Sequence, residues 1–289
     1  MFNFNTMAFQ NLRIGLFLSM NLEAGAPIGI FDSGIGGLTV AHAIKELLPD
    51  EQLIYFGDTA HLPYGDKSTA AIQAYSVKIA DFLIRKGCKV IVVACNSASA
   101  SANELLKEYT ASRAKVINVI DPIVDELAQN GSTGQVGVIG TRRTIDSRVY
   151  SKKVLSRSPG CQVHELAAPL LVPMIEEGFL HNKVSQDILQ NYLGDKIFDN
   201  ISSLVLGCTH YPLIGEEIRR FFDNRVKIIN SSQVTARALA TYLKEQSMLA
   251  STQERNDIFY VSDYTLTFEH QAKRFFGEPV VLKEYRLWE

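Results

Sequence analysis

Cysteine is scarce in this chain: Cys88, Cys95, Cys161 and Cys208 are the only four in 289 residues, and no two form a CxxC pair. That is too sparse for a disulfide scaffold, so free thiols in a reducing, cytoplasmic compartment are expected. Neither sign of charge is in excess. Lys+Arg 29 against Asp+Glu 31 leaves a formal −2, which gives no general attraction to nucleic acid or to an anionic membrane. There is no uninterrupted apolar run of roughly 18 to 20 residues, so no membrane span is expected. Cys208 and His210 form a close Cys/His pair, but no CxxC pair stands beside it to complete a ligand set, so no metal site is expected. The chain has 46% hydrophobic and 21% charged residues, enough for one large or two ordinary domains around a buried core. A small polar ligand is the default partner.

The first residues carry a single positive charge, Arg13, before a short apolar run at 14–20, and Ala24-Gly25-Ala26 has the look of a small-residue cleavage site. Cleavage there would cut directly against the first strand, and a basic leader region is nearly lacking. Residues 1–26 are therefore expected to be a poorly ordered extension with Met20 as the working start, not an export signal.

Short β-branched runs alternate with helical patterns, which predicts βα units and mostly parallel sheets. The clearest strands are 28–31, 53–56, 89–94, 115–120, 135–139, 203–207 and 226–229. Ile72, Tyr75, Ile79 and Phe82 recur at helical spacing and predict a helix that stops at Gly87. Asp121-Pro122 and the turn 130–134 mark a crossing into a second unit. The halves echo each other. In the first, one strand opens into Asp32-Ser33 and another ends in Cys95-Asn96-Ser97. In the second, one opens into Gly140-Thr141 and another ends in Cys208-Thr209-His210. In open α/β sheets ligands bind outside the carboxyl ends of the strands, so two such units face to face place one thiol on either side of the ligand.

Cys95 lies between a strand and a run of helix starters, where the helix dipole is expected to lower its pKa toward neutrality; a buried cysteine acting as a small hydrophobe is the alternative. Cys208 has the same placement and adds His210. Two opposed thiols suit a carbon acid whose proton is removed from one face and returned on the other. Asp32 and His210 are then candidate proton holders, against readings as a turn residue and a loop histidine. Gly34-Ile35-Gly36-Gly37 is not a dinucleotide fingerprint, because Thr39 stands where the third glycine belongs and Asp32 would repel a pyrophosphate. The glycines instead predict a nest of N–H groups able to hold a ligand carboxylate beside Ser33. The loop around Phe56-Gly57-Asp58-Thr59 and Pro63-Tyr64-Gly65-Asp66 either brings Tyr64 to the ligand or is a plain turn. Glu176-Glu177-Gly178 is a helix end or a grip for an ammonium group. Arg142-Arg143 and Arg219-Arg220 read as solvated helix faces.

Six segments taken in order resemble the glutamate racemase family of the aspartate/glutamate racemase superfamily: 28–40 (IGIFDSGIGGLTV), 55–65 (YFGDTAHLPYG), 93–100 (VACNSASA), 137–147 (GVIGTRRTIDS), 172–178 (VPMIEEG) and 204–213 (LVLGCTHYPL). The resemblance implies two similar open, mostly parallel α/β domains facing each other across the active site, here bounded as 27–118 plus 227–289 and 119–226. It implies cofactor-independent conversion of L-glutamate to D-glutamate for peptidoglycan synthesis, with Cys95 and Cys208 as the acid/base thiols assisted by Asp32 and His210. It further implies glutamate binding by Asp32, Ser33, Tyr64, Gly65, Asn96, Ser97, Thr209 and His210, with Thr141 and Glu176 as further candidates. No cofactor, metal, nucleic acid or membrane is required; a homodimer and a cell-wall-precursor effector stay open. The sequence departs from the family pattern at Ser97, usually threonine, at His61-Leu62, where arginine is frequent, at Ala168, a frequent cysteine, and at Asn230, usually aspartate. An aspartate or hydantoin racemase, a Cys/His/Asp thiol hydrolase and a non-catalytic amino-acid-binding module are the alternatives.

Overall fold

The computed structural model describes residues 23–129, 134–251 and 256–289. The extension expected over 1–26 therefore lies outside the described residues up to residue 22, as does most of the turn expected at 130–134.

Among the described residues ten strands form two parallel sheets. The first contains β1 (Ile28–Asp32), β2 (Leu53–Gly57), β3 (Val90–Val93) and β4 (Lys115–Asn118). The second contains β5 (Gln135–Gly140), β6 (Gln162–Ala167), β7 (Ile201–Gly207) and β8 (Lys227–Asn230). The chain then returns to the first sheet with β9 (Ile258–Val261) and β10 (Leu282–Glu284). The strand orders are β10-β9-β2-β1-β3-β4 and β6-β5-β7-β8, with every pair parallel. This is the expected α/β class. β8, which follows the expected boundary at 226, pairs with β7 in the second sheet. The hydrogen-bonded partner of β8 is what decides its membership.

Helices separate the strands: α1 (Leu38–Leu47), α2 (Thr69–Arg85), α3 (Asn96–Thr110) and α4 (Asp121–Gln129) follow the first-sheet strands. In the second half come α5 (Arg142–Asp146), α6 (Val149–Arg157), α7 (Leu171–Glu176), α8 (Lys183–Leu193), α9 (Gly215–Phe221), α10 (Ser231–Glu245) and α11 (Leu266–Phe276). The expected helix is α2, which Ser68 caps by accepting the Ala71 N–H at 3.2 Å. It stops before Gly87, whose φ of +79° suits a residue without a β-carbon.

β1, β2 and β3 are buried along their whole length, as expected of parallel strands covered on both faces by helices. One apolar cluster runs from one face of the first sheet through α1 and α10 into the second sheet, and a second fills the other face of the first sheet under α2 and α3. At the start of β3 the wholly buried Lys89 pairs with the buried Glu51 at 2.7 Å. Its ammonium also donates to the carbonyl of Met248 at 2.7 Å. Among the described residues no helix is long and apolar enough to cross a membrane.

Candidate active site

The two sheets present their carboxyl ends to one cavity of about 570 Å³. The internal echo is physical: β1 and β3 are neighbours in one sheet, β5 and β7 in the other, so each sheet delivers two loops side by side. Cys95, Ser33, Asn96 and Ser97 line the cavity from the first sheet, and Cys208, Thr209, His210 and Thr141 from the second. Tyr64, Gly65, Glu176 and Arg142 complete its polar wall, while Leu62, Leu170, Val172, Tyr192 and Phe268 supply apolar surface. Leu170, Tyr192 and Phe268 lie in no motif that singles them out in the sequence.

Cys95 caps α3. Its sulfur accepts the Ala98 N–H at 3.4 Å and donates to the Ser33 hydroxyl at 3.7 Å. The helix end does not lower its pKa toward neutrality as expected from position alone. Burial, with the negative charge of Asp32 behind it, pushes the thiol up to about 12, against the smaller pull of the Ala98 and Ser33 hydrogen bonds. Burial therefore favours the protonated thiol at Cys95. On the other side, the Cys208 sulfur lies 3.8 Å from His210 Nδ1, and His210 Nε2 meets Glu176 Oε1 at 2.9 Å. Burial pulls His210 down, but its hydrogen bonds to Cys208 and Glu176 outweigh that and raise it to about 10. Here β7 runs into a short turn of 3-10 helix at Tyr211–Ile214 rather than the α-helix that follows Cys95. The two thiols thus stand in different electrostatic settings.

Asp32 is not on the cavity wall; it is buried one layer behind, 1% exposed. Burial raises its carboxyl, opposed by the charge of His210 and by the N–H groups of Gly37, Gly34 and Ser33. The predicted glycine nest therefore exists, but it holds the chain's own Asp32, with Gly34 N–H donating at 3.1 Å, rather than a ligand carboxylate. Gly36 has a second reason to lack a side chain. A β-carbon there would stand 2.5 Å from His210 Nδ1 and 2.6 Å from Thr209 Oγ1, so the loop after β1 and the loop after β7 meet backbone to ring.

Tyr64 lines the cavity with its ring, while its hydroxyl donates to Asp58 at 2.6 Å. Burial and the Asp58 carboxylate push its pKa well above the usual tyrosine value, so it stays a donor. Gly65 packs on Thr141. Asn96 accepts from Tyr150 at 2.8 Å and leaves its buried amide NH₂ without a protein partner, as a ligand-facing donor would be. Ser97 bonds Thr141 at 2.9 Å, so the hydroxyl it shares with the family's usual threonine is in use. Asn230 caps α10 by accepting the Ser232 N–H at 2.9 Å, which an amide oxygen does as well as a carboxylate. Ala168 is buried and its carbonyl accepts from Tyr211 at 3.0 Å. Glu176, placed at a helix end as expected, serves His210 rather than standing free for an ammonium. Arg143 is not merely solvated: its Nε donates to the Lys67 carbonyl at 3.0 Å across the two halves, and Arg142 lies 3.7 Å from Asp66. No cluster able to hold a metal ion occurs among the described residues.

The profile of the Asp/Glu/Hydantoin racemase family matches residues 36–239. A glutamate racemase of Geobacter metallireducens is 43% identical over 251 residues, 86% of this chain and 92% of that protein. Among solved structures, a glutamate racemase from Francisella tularensis in complex with D-glutamate superposes with a TM-score of 0.85 at 37% identity, covering 92% of this chain and 99% of that one. The Escherichia coli glutamate racemase in complex with L-glutamate and the activator UDP-MurNAc-Ala matches with a TM-score of 0.72 at 28% identity over 90% of this chain and 98% of its own. With its six motifs gathered around one cavity between two parallel sheets, this chain belongs to the Asp/Glu/Hydantoin racemase family, among its glutamate racemases, and is an isomerase.

Proposed function

We propose that the chain interconverts L- and D-glutamate without a cofactor, by a two-base mechanism in which Cys95 and Cys208 act on opposite faces of the substrate's Cα. One observation carries this reading: both thiols line the same cavity from opposite sheets, with His210 3.8 Å from Cys208 and the charge of Asp32 acting on Cys95. One thiolate takes the Cα proton while the opposite thiol returns one to the other face, and the cysteines finish with their protonation exchanged. Asp32, behind Cys95 through Ser33, and His210, held by Glu176 beside Cys208, are the groups that store and return those protons. The ligand-facing Asn96 amide, Ser33, Ser97, Thr209 and the Tyr64–Gly65 loop bind the substrate's polar groups. A hydrolase with Cys208 as nucleophile leaves Cys95 without a task.

Supply of D-glutamate to peptidoglycan is the role this activity serves, in the cytoplasm, where the four unpaired thiols stay reduced. An effector of the cell-wall-precursor class belongs to the same proposal, because the Escherichia coli relative was solved with the activator UDP-MurNAc-Ala. The test is polarimetry of L-glutamate with chelator present, with and without UDP-MurNAc-Ala, on the natural chain and on Cys95→Ser and Cys208→Ser separately. Rotation should decay to zero only with both cysteines in place. Each replacement is expected to lower the rate by about 10²- to 10⁴-fold, whereas survival of activity in either one contradicts the mechanism.

A further inference from the structure

Asp58, just after β2, is wholly buried, and it sits outside the proton-transfer groups described above. Its two carboxylate oxygens are nevertheless surrounded by four side chains from three separate parts of the chain. Oδ1 accepts from Ser262 Oγ at 2.8 Å and from Trp288 Nε1 at 2.9 Å. Oδ2 accepts from the Tyr64 hydroxyl at 2.6 Å, and His61 Nδ1 lies 3.0 to 3.1 Å from both oxygens. The Asp58 N–H in turn donates to the Asp32 carbonyl at 3.0 Å, which fixes the carboxylate relative to the catalytic end of β1.

The loop that Asp58 organises, residues 59–66, supplies Leu62, Pro63, Tyr64 and Gly65 to the cavity wall. Its outer side is closed by rings. His61 stacks on Tyr75 of α2 at 4.1 Å, and Trp288 meets His61 edge-on at 4.5 Å and Tyr75 at 5.3 Å. Lys78 lies over the Trp288 ring at 4.9 Å. A surface tryptophan satisfied by water alone would need no buried carboxylate; here the indole N–H is spent on the group that also holds Tyr64.

We propose that Asp58 is a positioning residue for the substrate loop and that Trp288 locks it, so that a side chain more than two hundred residues away in sequence sets the affinity for glutamate. This rests on the reading of the cavity as a glutamate site. Trp288 touches neither thiol, so its loss should loosen the 59–66 wall without changing proton transfer. The effect should fall on KM, equally for both enantiomers, and leave kcat nearly alone.

The experiment compares Trp288→Phe, which keeps an aromatic ring but loses the N–H, with Trp288→Ala, Asp58→Asn and the exposed control Val281→Ser. It reads kinetics in both directions, thermal unfolding, and amide hydrogen exchange over 59–66. Trp288→Phe is expected to raise KM by roughly 3- to 10-fold, less than the full worth of one hydrogen bond to a charged acceptor because Asp58 keeps its other donors, with kcat within about twofold and faster exchange confined to 59–66. Trp288→Ala should exceed it and Val281→Ser should match the natural chain. Unchanged KM with unchanged exchange at 59–66 overturns the proposal, as does a lowered Tm with no change at that loop. Should the natural chain not racemise glutamate, the functional reading fails by itself, and the exchange of 59–66 still decides whether Trp288 holds the loop. Trp288 is the chain's single tryptophan, so its emission should shift saturably as L-glutamate is added.

Discussion

The neighbours of His210 favour its protonated form, and its pH behaviour follows from them. Its value of about 10 in the fold, against an ordinary 6.5, means that folding favours the protonated ring. The stability it contributes is full below about pH 6.5 and is lost as pH rises through about 10. If His210 must hold a proton for turnover, kcat/KM has a basic limb near that upper value. Glu176→Gln replaces the carboxylate that helps raise it with a neutral amide, so the pH–rate profile of that variant should show the limb moved to lower pH. An unmoved limb separates His210 from the rate. Gly36 gives a second test at this scale. Gly36→Ala drives a β-carbon to 2.5 Å from His210 Nδ1 and should cost activity by at least about tenfold, while thermal unfolding changes far less. The expectation for Cys95 failed for a physical reason: its position at the start of α3 is visible in the sequence, but the burial and the Asp32 charge that dominate its titration depend on what the fold stacks around it.

Among the secondary-structure elements, the central strands are the ones a sequence announces. β1, β2, β3, β5 and β7 are buried β-branched runs, and the expected segments fall on them within a few residues at each end. β6 and β10, each at the outer edge of its sheet, and β9, which lies between β10 and β2, are not among the segments the sequence marks. β6 is only half-buried along its length, and β10 is three residues long with two exposed. Strands this short and wet carry neither alternation nor a continuous apolar run. The stability tests belong to the buried ones. Leu204 in β7 is fully buried, and Leu204→Ala should cost about 2–5 kcal/mol in denaturant unfolding. Glu51→Ala strands the buried Lys89 ammonium and should cost a similar ~3–5 kcal/mol, although it lies away from the cavity and should leave kcat alone in whatever fraction stays folded.

Across the whole molecule, the site exists only where the halves meet. Thr39 in α1 donates to the Thr209 carbonyl at 2.9 Å, Ser97 meets Thr141, Tyr150 holds Asn96, and Gln271 and Arg274 of α11 donate at 3.0 Å to the carbonyls of Glu176 and Ile175. These cross-links tie each thiol's loop to the opposite half. The repeated strand-to-loop pattern of the sequence marks the loops after β1, β3, β5 and β7 that line the cavity, whereas Asp32 at the end of β1 lies behind the wall. The partner of each residue was not legible: that Glu176 serves His210, that the glycine nest holds Asp32, and that Tyr64 is held by Asp58 are facts of side-chain direction. The apolar wall of Leu170, Val172 and Phe268 was equally hidden, because apolar residues in the sequence look alike whether they face a core or a ligand.

The most direct measurement places the natural chain with L-glutamate in deuterated buffer, with chelator and no added cofactor, and follows the Cα proton by NMR alongside optical rotation. Two opposed thiols predict loss of the Cα proton together with decay of rotation to zero, the same from D-glutamate, and neither in Cys95→Ser or Cys208→Ser. A folded natural chain that exchanges no Cα proton from either enantiomer, or that racemises with one cysteine gone, would contradict the account.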